Sequence, residues 1–117
     1  MGRYEEIAQA VIQFGAERDW EQFHDSKNIA EALTIECGEL LEVFLWKDCK
    51  ESRELTAREM NMAREEAADI FIFLVYLADS LGIDLLDAVK DKLHQNEMKY
   101  PIEKARGSSK KYSDLDI

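Results

Sequence analysis

Ala67-Ala68-Asp69-Ile70-Phe71-Ile72-Phe73-Leu74-Val75-Tyr76-Leu77-Ala78 is the stretch that decides the fold, because Asp69 is its only residue that is neither apolar nor aromatic. A helix with no polar face has to be buried nearly all round. Its ends can be read from the flanks. Thr56 followed three residues later by Glu59 is a capping box, in which hydroxyl and carboxylate each accept a backbone N–H, so the helix is predicted to start there. Gly82 supplies a left-handed stop after Leu81.

Working outward, Tyr4, Ile7, Ala8, Val11, Ile12 and Phe14 recur at helical spacing and predict a helix over 3–18. A polar stretch from Arg18 to Asn28 leads to a second helix over 28–47, where Ile29, Leu33, Cys37, Leu40 and Phe44 form one stripe. Lys50 to Leu55 is polar and reads as loop. Asp84 caps a fourth helix that runs to about Tyr100 and halts at Pro101, the single proline of the chain. The expected architecture is all-α, a four-helix bundle over residues 1–101. Residues 102–117, rich in Lys, Ser and Gly, form a tail that cannot fold by itself. Four short helices cannot surround the apolar third helix and also bury a second apolar strip on the helix before it. An oligomer is therefore expected, joined through buried helix faces.

Composition narrows the partners. The 117 residues are 46% hydrophobic and 34% charged, as in an ordinary globular domain, and carry a net charge of −10. Such a charge repels nucleic acid polymers and anionic membrane surfaces. It still admits a small anionic substrate if a metal ion inverts the local field. Cys37 and Cys49 form no CxxC or zinc spacing and are expected to be reduced thiols of a cytoplasmic protein. The amphipathic, acidic N-terminus does not read as a signal peptide. The longest apolar run, Ile70 to Ala78, falls far short of the ~20 residues a membrane helix needs.

The chemistry lies in four carboxylates. Glu36 and Glu39 are three apart on the second helix, Glu66 and Asp69 three apart on the third, so each pair can aim at one point. At about 100° per residue, Glu36 and Glu39 share a sector with Ala32, Ile35, Val43 and Trp46. On the same wheel Trp46 falls about 20° from Glu39, two turns on. Asp69 is flanked by Ala68, Ile70, Phe71 and Phe73. A single ExxE pair is most often a solvated face; two such pairs in apolar surroundings bring the metal reading level with the solvated one, and spacing alone goes no further. Converging carboxylates repel unless a cation joins them, and an all-oxygen donor set suits Mg2+, with Mn2+ as substitute.

Longer stretches carry a resemblance. Arg18-Asp19-Trp20-Glu21-Gln22-Phe23-His24, Asn28, and Ile35 through Lys47 closely resemble the MazG-like all-α NTP pyrophosphatases, and within them the dCTP pyrophosphatase branch. Glu65 through Asp69 matches the family's second metal motif, and Lys92, Asn96 and Lys99-Tyr100-Pro101 match the signature on the last helix. Ser108 through Tyr112 also fits. The resemblance implies that Glu36, Glu39, Glu66 and Asp69 hold magnesium. It implies a base and sugar pocket from Trp20, His24, Asn28 and Trp46, with Lys92, Asn96 and Lys99 near the phosphates. It further implies a homodimer or a dimer of dimers acting on a nucleoside triphosphate, dCTP or a modified cytosine nucleotide, cut to monophosphate and pyrophosphate. Phe73, one turn after Asp69, is expected to line the site, and Glu39 to act as general base. Three departures stand out: Cys37 and Gly38 fill the middle of the first motif, Leu45 stands where many relatives carry Gln, and Phe73 where some carry Tyr.

Two rivals are weighed. A di-iron carboxylate bundle needs Glu-x-x-His pairs facing inward. Asp91 and His94 point away from the Leu85/Val89/Leu93 stripe, and His24 lies past the first helix. A non-catalytic helical oligomerisation module would use its carboxylates only for solubility, and neutralising them would be harmless. By position alone Trp46 and Trp20 also read as interface anchors, and His24 as a surface histidine in a polar linker.

Overall fold

The computed structural model describes residues 1–115; Asp116 and Ile117, the end of the expected tail, lie outside the described residues. Helices α1 (Arg3–Glu17), α2 (Ser26–Val43), α3 (Cys49–Ser52), α4 (Ala57–Leu81), α5 (Leu85–Lys99) and α6 (Ile102–Ala105) follow in order, with 3-10 turns at Glu21–Phe23 and Tyr112–Asp114. The described residues contain no strand. The all-α expectation holds. No helix among them is long and apolar enough to cross a membrane.

The chain divides after Ile83 into two compact units. In the first, α2 and α4 form the main helix pair and α1 packs on α4. The pair is antiparallel and tied at both ends. Ser26 Oγ and Ser80 Oγ lie 2.9 Å apart at one end. At the other, Lys47 Nζ meets Glu59 Oε2 at 2.6 Å. Glu36 and Glu39 therefore stand level with Glu66 and Asp69, midway between the ties. Ile29 is 1% exposed and makes the core with Val43, Val75, Tyr76 and Ala78. Tyr4 packs edge-on against Phe71 with ring centroids 6.1 Å apart, and the Tyr76 hydroxyl donates to the Val11 carbonyl at 2.9 Å, which fix α1 on α4.

The caps follow the sequence. Thr56 and Glu59 close a reciprocal capping box on α4, Gly82 ends it at φ +66°, and Asp84 accepts from the Asp87 amide to start α5. Three expectations are corrected. The second helix runs from Ser26, because Asp25 caps it by accepting from the Asn28 amide, and it stops at Val43 instead of 47. Trp46 thus lies beyond the helix, at φ +65°, and the wheel angle assigned to it does not apply. The expected 50–55 loop is entered by α3, which begins at Cys49 and whose capping box joins Asp48 and Glu51. On the single chain Ala67, Ala68 and Phe71 of α4 remain exposed, as expected of a helix that four short helices cannot surround.

The second unit holds α5, α6 and the segment beyond. Part of the expected tail is helical, and Tyr112 packs edge-on to Tyr100 with Lys99 Nζ 4.9 Å above its ring.

Gly38 lies inside α2, exposed, with nothing within 4 Å of where a Cβ would sit. Gly38→Ala is expected to stabilise the fold by about 1 kcal/mol, read as a higher urea midpoint at constant slope.

Candidate active site

Antiparallel pairing of α2 with α4 brings Glu36, Glu39 and Glu66 together, one carboxylate oxygen from each within 4.8 Å of the others. Glu36 and Glu66 are half-buried and Glu39 is exposed. Oε2 of Glu36 and Oε2 of Glu66 are both buried with no partner. Two carboxylates so placed need either a proton between them or a cation. The Glu36 carboxyl responds by rising to about 7, first through the Glu66 carboxyl set against it, then burial, then the charges of Glu39 and Asp69. Asp69 stands outside the three-glutamate group among the described residues, yet close enough for its charge to act on Glu36.

That shift sets a pH dependence. A carboxyl with a folded pKa of about 7 against an ordinary 4.5 binds its proton more tightly in the fold. Its stabilisation is full below 4.5 and is lost as pH rises through 7. In a chelator, the wild-type melting temperature is expected to fall between about pH 5 and about pH 8, and Glu36→Gln to flatten that decline.

Asp69 also lines an apolar cavity of about 540 Å³ between α1 and α4, walled by Phe14, Trp20, His24, Phe73 and Tyr76. That volume lies within the roughly 300–1,000 Å³ usual for small-molecule sites. Trp20 packs edge-on against Phe14 with centroids 5.7 Å apart. The His24 ring lies 6.4 Å from that of Trp20 and 4.3 Å from that of Tyr76. His24 is thus packed, not the surface histidine its polar neighbours suggest. Burial pushes the Tyr76 phenol up, only partly offset by Arg18, so it remains a donor.

Of the residues singled out in sequence, Trp20, His24, Phe73 and Asp69 therefore meet in one cavity. Asn28 does not line it: its side-chain amide donates to Asp25 Oδ2 at 2.9 Å and to the Phe23 carbonyl at 3.3 Å. Trp46 is 92% exposed and lines a different depression, with Leu45, Lys47, Glu59 and Met62. Lys92, Asn96 and Lys99 belong to the second unit, where Lys92 and Lys99 are exposed and Asn96 is half-buried. Sequence reasoning assigned Phe14 to a core stripe and gave Tyr76 no role beyond the apolar run. The adjacency of Phe14 to the Arg18–Trp20 motif was the available signal.

A family model described as the MazG-like family matches residues 31–115. The chain belongs to the MazG-like family. Among its relatives, dCTP pyrophosphatase 1 of Bos taurus is 44% identical over 113 residues, 95% of this chain and 67% of that protein. The Homo sapiens protein of the same name is 43% identical, over 95% of this chain and 66% of its own length. The chain thus spans about two thirds of the length of these curated relatives. A crystal structure of a pyrophosphatase from Archaeoglobus fulgidus DSM 4304 superposes with a TM-score of 0.82 at 37% identity, covering 86% of this chain and 94% of that one. The glutamate cluster of this MazG-like chain fits a divalent cation: two buried oxygens lack partners, and all three donors are hard carboxylates.

Proposed function

We propose that this chain is a Mg2+-dependent pyrophosphohydrolase that cuts a deoxynucleoside triphosphate, dCTP or a modified cytosine nucleotide, between the α- and β-phosphates. The observation that carries this reading is the position of Asp69. It acts electrostatically on the glutamate cluster and lines the aromatic cavity, so a triphosphate and its base would have adjoining seats. The names of the 42–44% identical relatives, dCTP pyrophosphatase 1, support a cytosine nucleotide as substrate.

Glu36, Glu39, Glu66 and Asp69 would hold the ion, which when bound neutralises phosphate charge and polarises the phosphorus under attack. Glu39, exposed at the cluster, orients the attacking water and takes its proton. Trp20, Phe73 and His24, which line one cavity, receive the base. Asn28 holds the 3-10 turn that carries His24. Lys92, Asn96 and Lys99 steady the pyrophosphate.

The protein acts in the cytoplasm as a homodimer or a dimer of dimers, clearing the nucleotide pool. Support for assembly comes from Ile35, Leu41 and Phe71, which a single chain leaves exposed. The outward, left-handed backbone at Trp46 suits a ring presented to a second copy's site.

The test is a phosphate-release screen over canonical and modified dNTPs, with Mg2+ and coupled inorganic pyrophosphatase. Monophosphate plus pyrophosphate from a cytosine nucleotide is the expected result. Release of single phosphate, or of none from any nucleotide, overturns the reading.

A further inference from the structure

The aromatic cavity has a second one behind it. A space of about 320 Å³, lined by Glu21, Asp79 and Ser80, shares two residues with it, His24 and Tyr76. Those two rings lie with centroids 4.3 Å apart, tilted at 45°, and form the partition. One side of the partition is apolar, the other carries two carboxylates and a hydroxyl.

Tyr76 is held rigidly enough to act as a wall. It is 7% exposed, and its hydroxyl is anchored to the Val11 carbonyl at 2.9 Å. On the α1 side it leans on Gly15, where a Cβ would stand 3.1 Å from the hydroxyl oxygen and 3.2 Å from a ring carbon. A side chain at position 15 would press on this ring, and the glycine lets it sit close. Phe73, one turn earlier on α4, lies 6.3 Å away and faces the same cavity.

We propose that Tyr76 is a specificity-determining residue: with His24 it forms the wall that closes the base cavity off from the acidic space beside it and so limits the size of base admitted. This rests on the reading of the aromatic cavity as the base seat. A ring entering between Trp20 and Phe73 meets the Tyr76 face. A base large enough to press on that ring, a purine before a pyrimidine, would have to displace it against the hydroxyl anchor and the packed Gly15. Without the ring the two spaces join, and the amino group of adenine reaches the acceptors Glu21 and Asp79.

The experiment measures binding, so it does not depend on turnover. Calorimetry with Mg2+ follows α,β-imido-dCTP and α,β-imido-dATP on wild type, Tyr76→Phe and Tyr76→Ala, with a thermal melt to establish the fold of each. In Tyr76→Ala the affinity ratio of the dATP to the dCTP analogue is expected to rise about tenfold or more, the scale of discrimination that a ring-sized change in an apolar pocket carries. Tyr76→Phe keeps the ring and is expected to hold that ratio within about twofold of wild type. Should Tyr76→Ala fail to melt cooperatively, Tyr76→Leu replaces it, with the same direction expected. An unchanged ratio in a folded Ala or Leu variant overturns the proposal, as does an equal change in Tyr76→Phe. Wild type that binds neither analogue overturns it too. Wild type that binds the dCTP analogue yet hydrolyses no triphosphate defeats the proposed activity and leaves the wall standing.

Discussion

Glu66→Gln is expected to lower kcat by roughly 10³-fold while raising the melting temperature of the metal-free protein, a loss of about 4 kcal/mol of transition-state stabilisation. Both halves follow from one geometry. In the proposed site Glu66 supplies a carboxylate that a neutral amide replaces poorly as a ligand for a hard cation. Without the ion, the same carboxylate faces Glu36 across a buried gap where neither Oε2 has a partner. The amide removes one charge and adds an N–H donor, so the metal-free fold gains where the enzyme loses. The measurement is steady-state hydrolysis with Mg2+, paired with melting curves in a chelator. A solubilising role for the carboxylates predicts unchanged turnover, and an essential structural ion predicts a lower melting temperature. Wild-type protein should also melt higher as Mg2+ is added, by an amount equivalent to about 2.7 kcal/mol at a hundred times Kd, and Glu66→Gln should lose most of that rise.

Trp20→Ala is expected to raise KM for the nucleotide by roughly 5- to 150-fold with kcat changed far less, since stacking a base on an aromatic ring is worth about 1–3 kcal/mol. Trp20 lies in the short connection after α1, held by an amide-to-carbonyl bond of 3.0 Å to Gly15 and by edge contact with Phe14. It is 41% exposed, so removing its ring opens no core cavity and the fold should survive. The expected pattern is that of lost uniform binding. A kcat that falls as much as kcat/KM would place Trp20 at the reacting phosphate instead of the base. Competition by the monophosphate product gives an independent check, because the product retains the base and should lose affinity in parallel.

Helices were legible in this chain wherever a local signal marked both their character and their ends. Thr56, Glu59, Gly82 and Asp84 each act through atoms within a few residues, and each was placed correctly. The end of α2 was not legible, because Phe44, Leu45 and Trp46 continue the apolar pattern past the last helical turn. What stops the helix is assembled from further on: the Asp48–Glu51 capping box and the pull of Lys47 toward Glu59, whose carboxyl is held down at about 2, first by Lys47 and then by Thr56. The Asp48 signal has the same form as the one read at Thr56 and was available.

The site divides along the same line. Spacing was enough to bring Glu36, Glu39 and Glu66 together, because antiparallel helices in register keep i, i+3 pairs level. It was not enough for Tyr76, whose partner Val11 lies 65 residues away, or for His24, whose packing depends on a ring from another helix. Nor could it foresee that Trp46 leaves the helical path, since a positive φ in a bulky residue has no local sequence signature.

Asp69 lines the aromatic cavity and acts by its charge on the glutamate cluster, and in the proposed site this would make the two compartments thermodynamically interdependent. Whatever free energy the cation contributes to nucleotide affinity, the nucleotide must return to cation affinity in equal measure. A resting protein at low ion concentration would then stay largely unloaded until its substrate arrives, and assembly of the working centre would be triggered by the molecule it destroys.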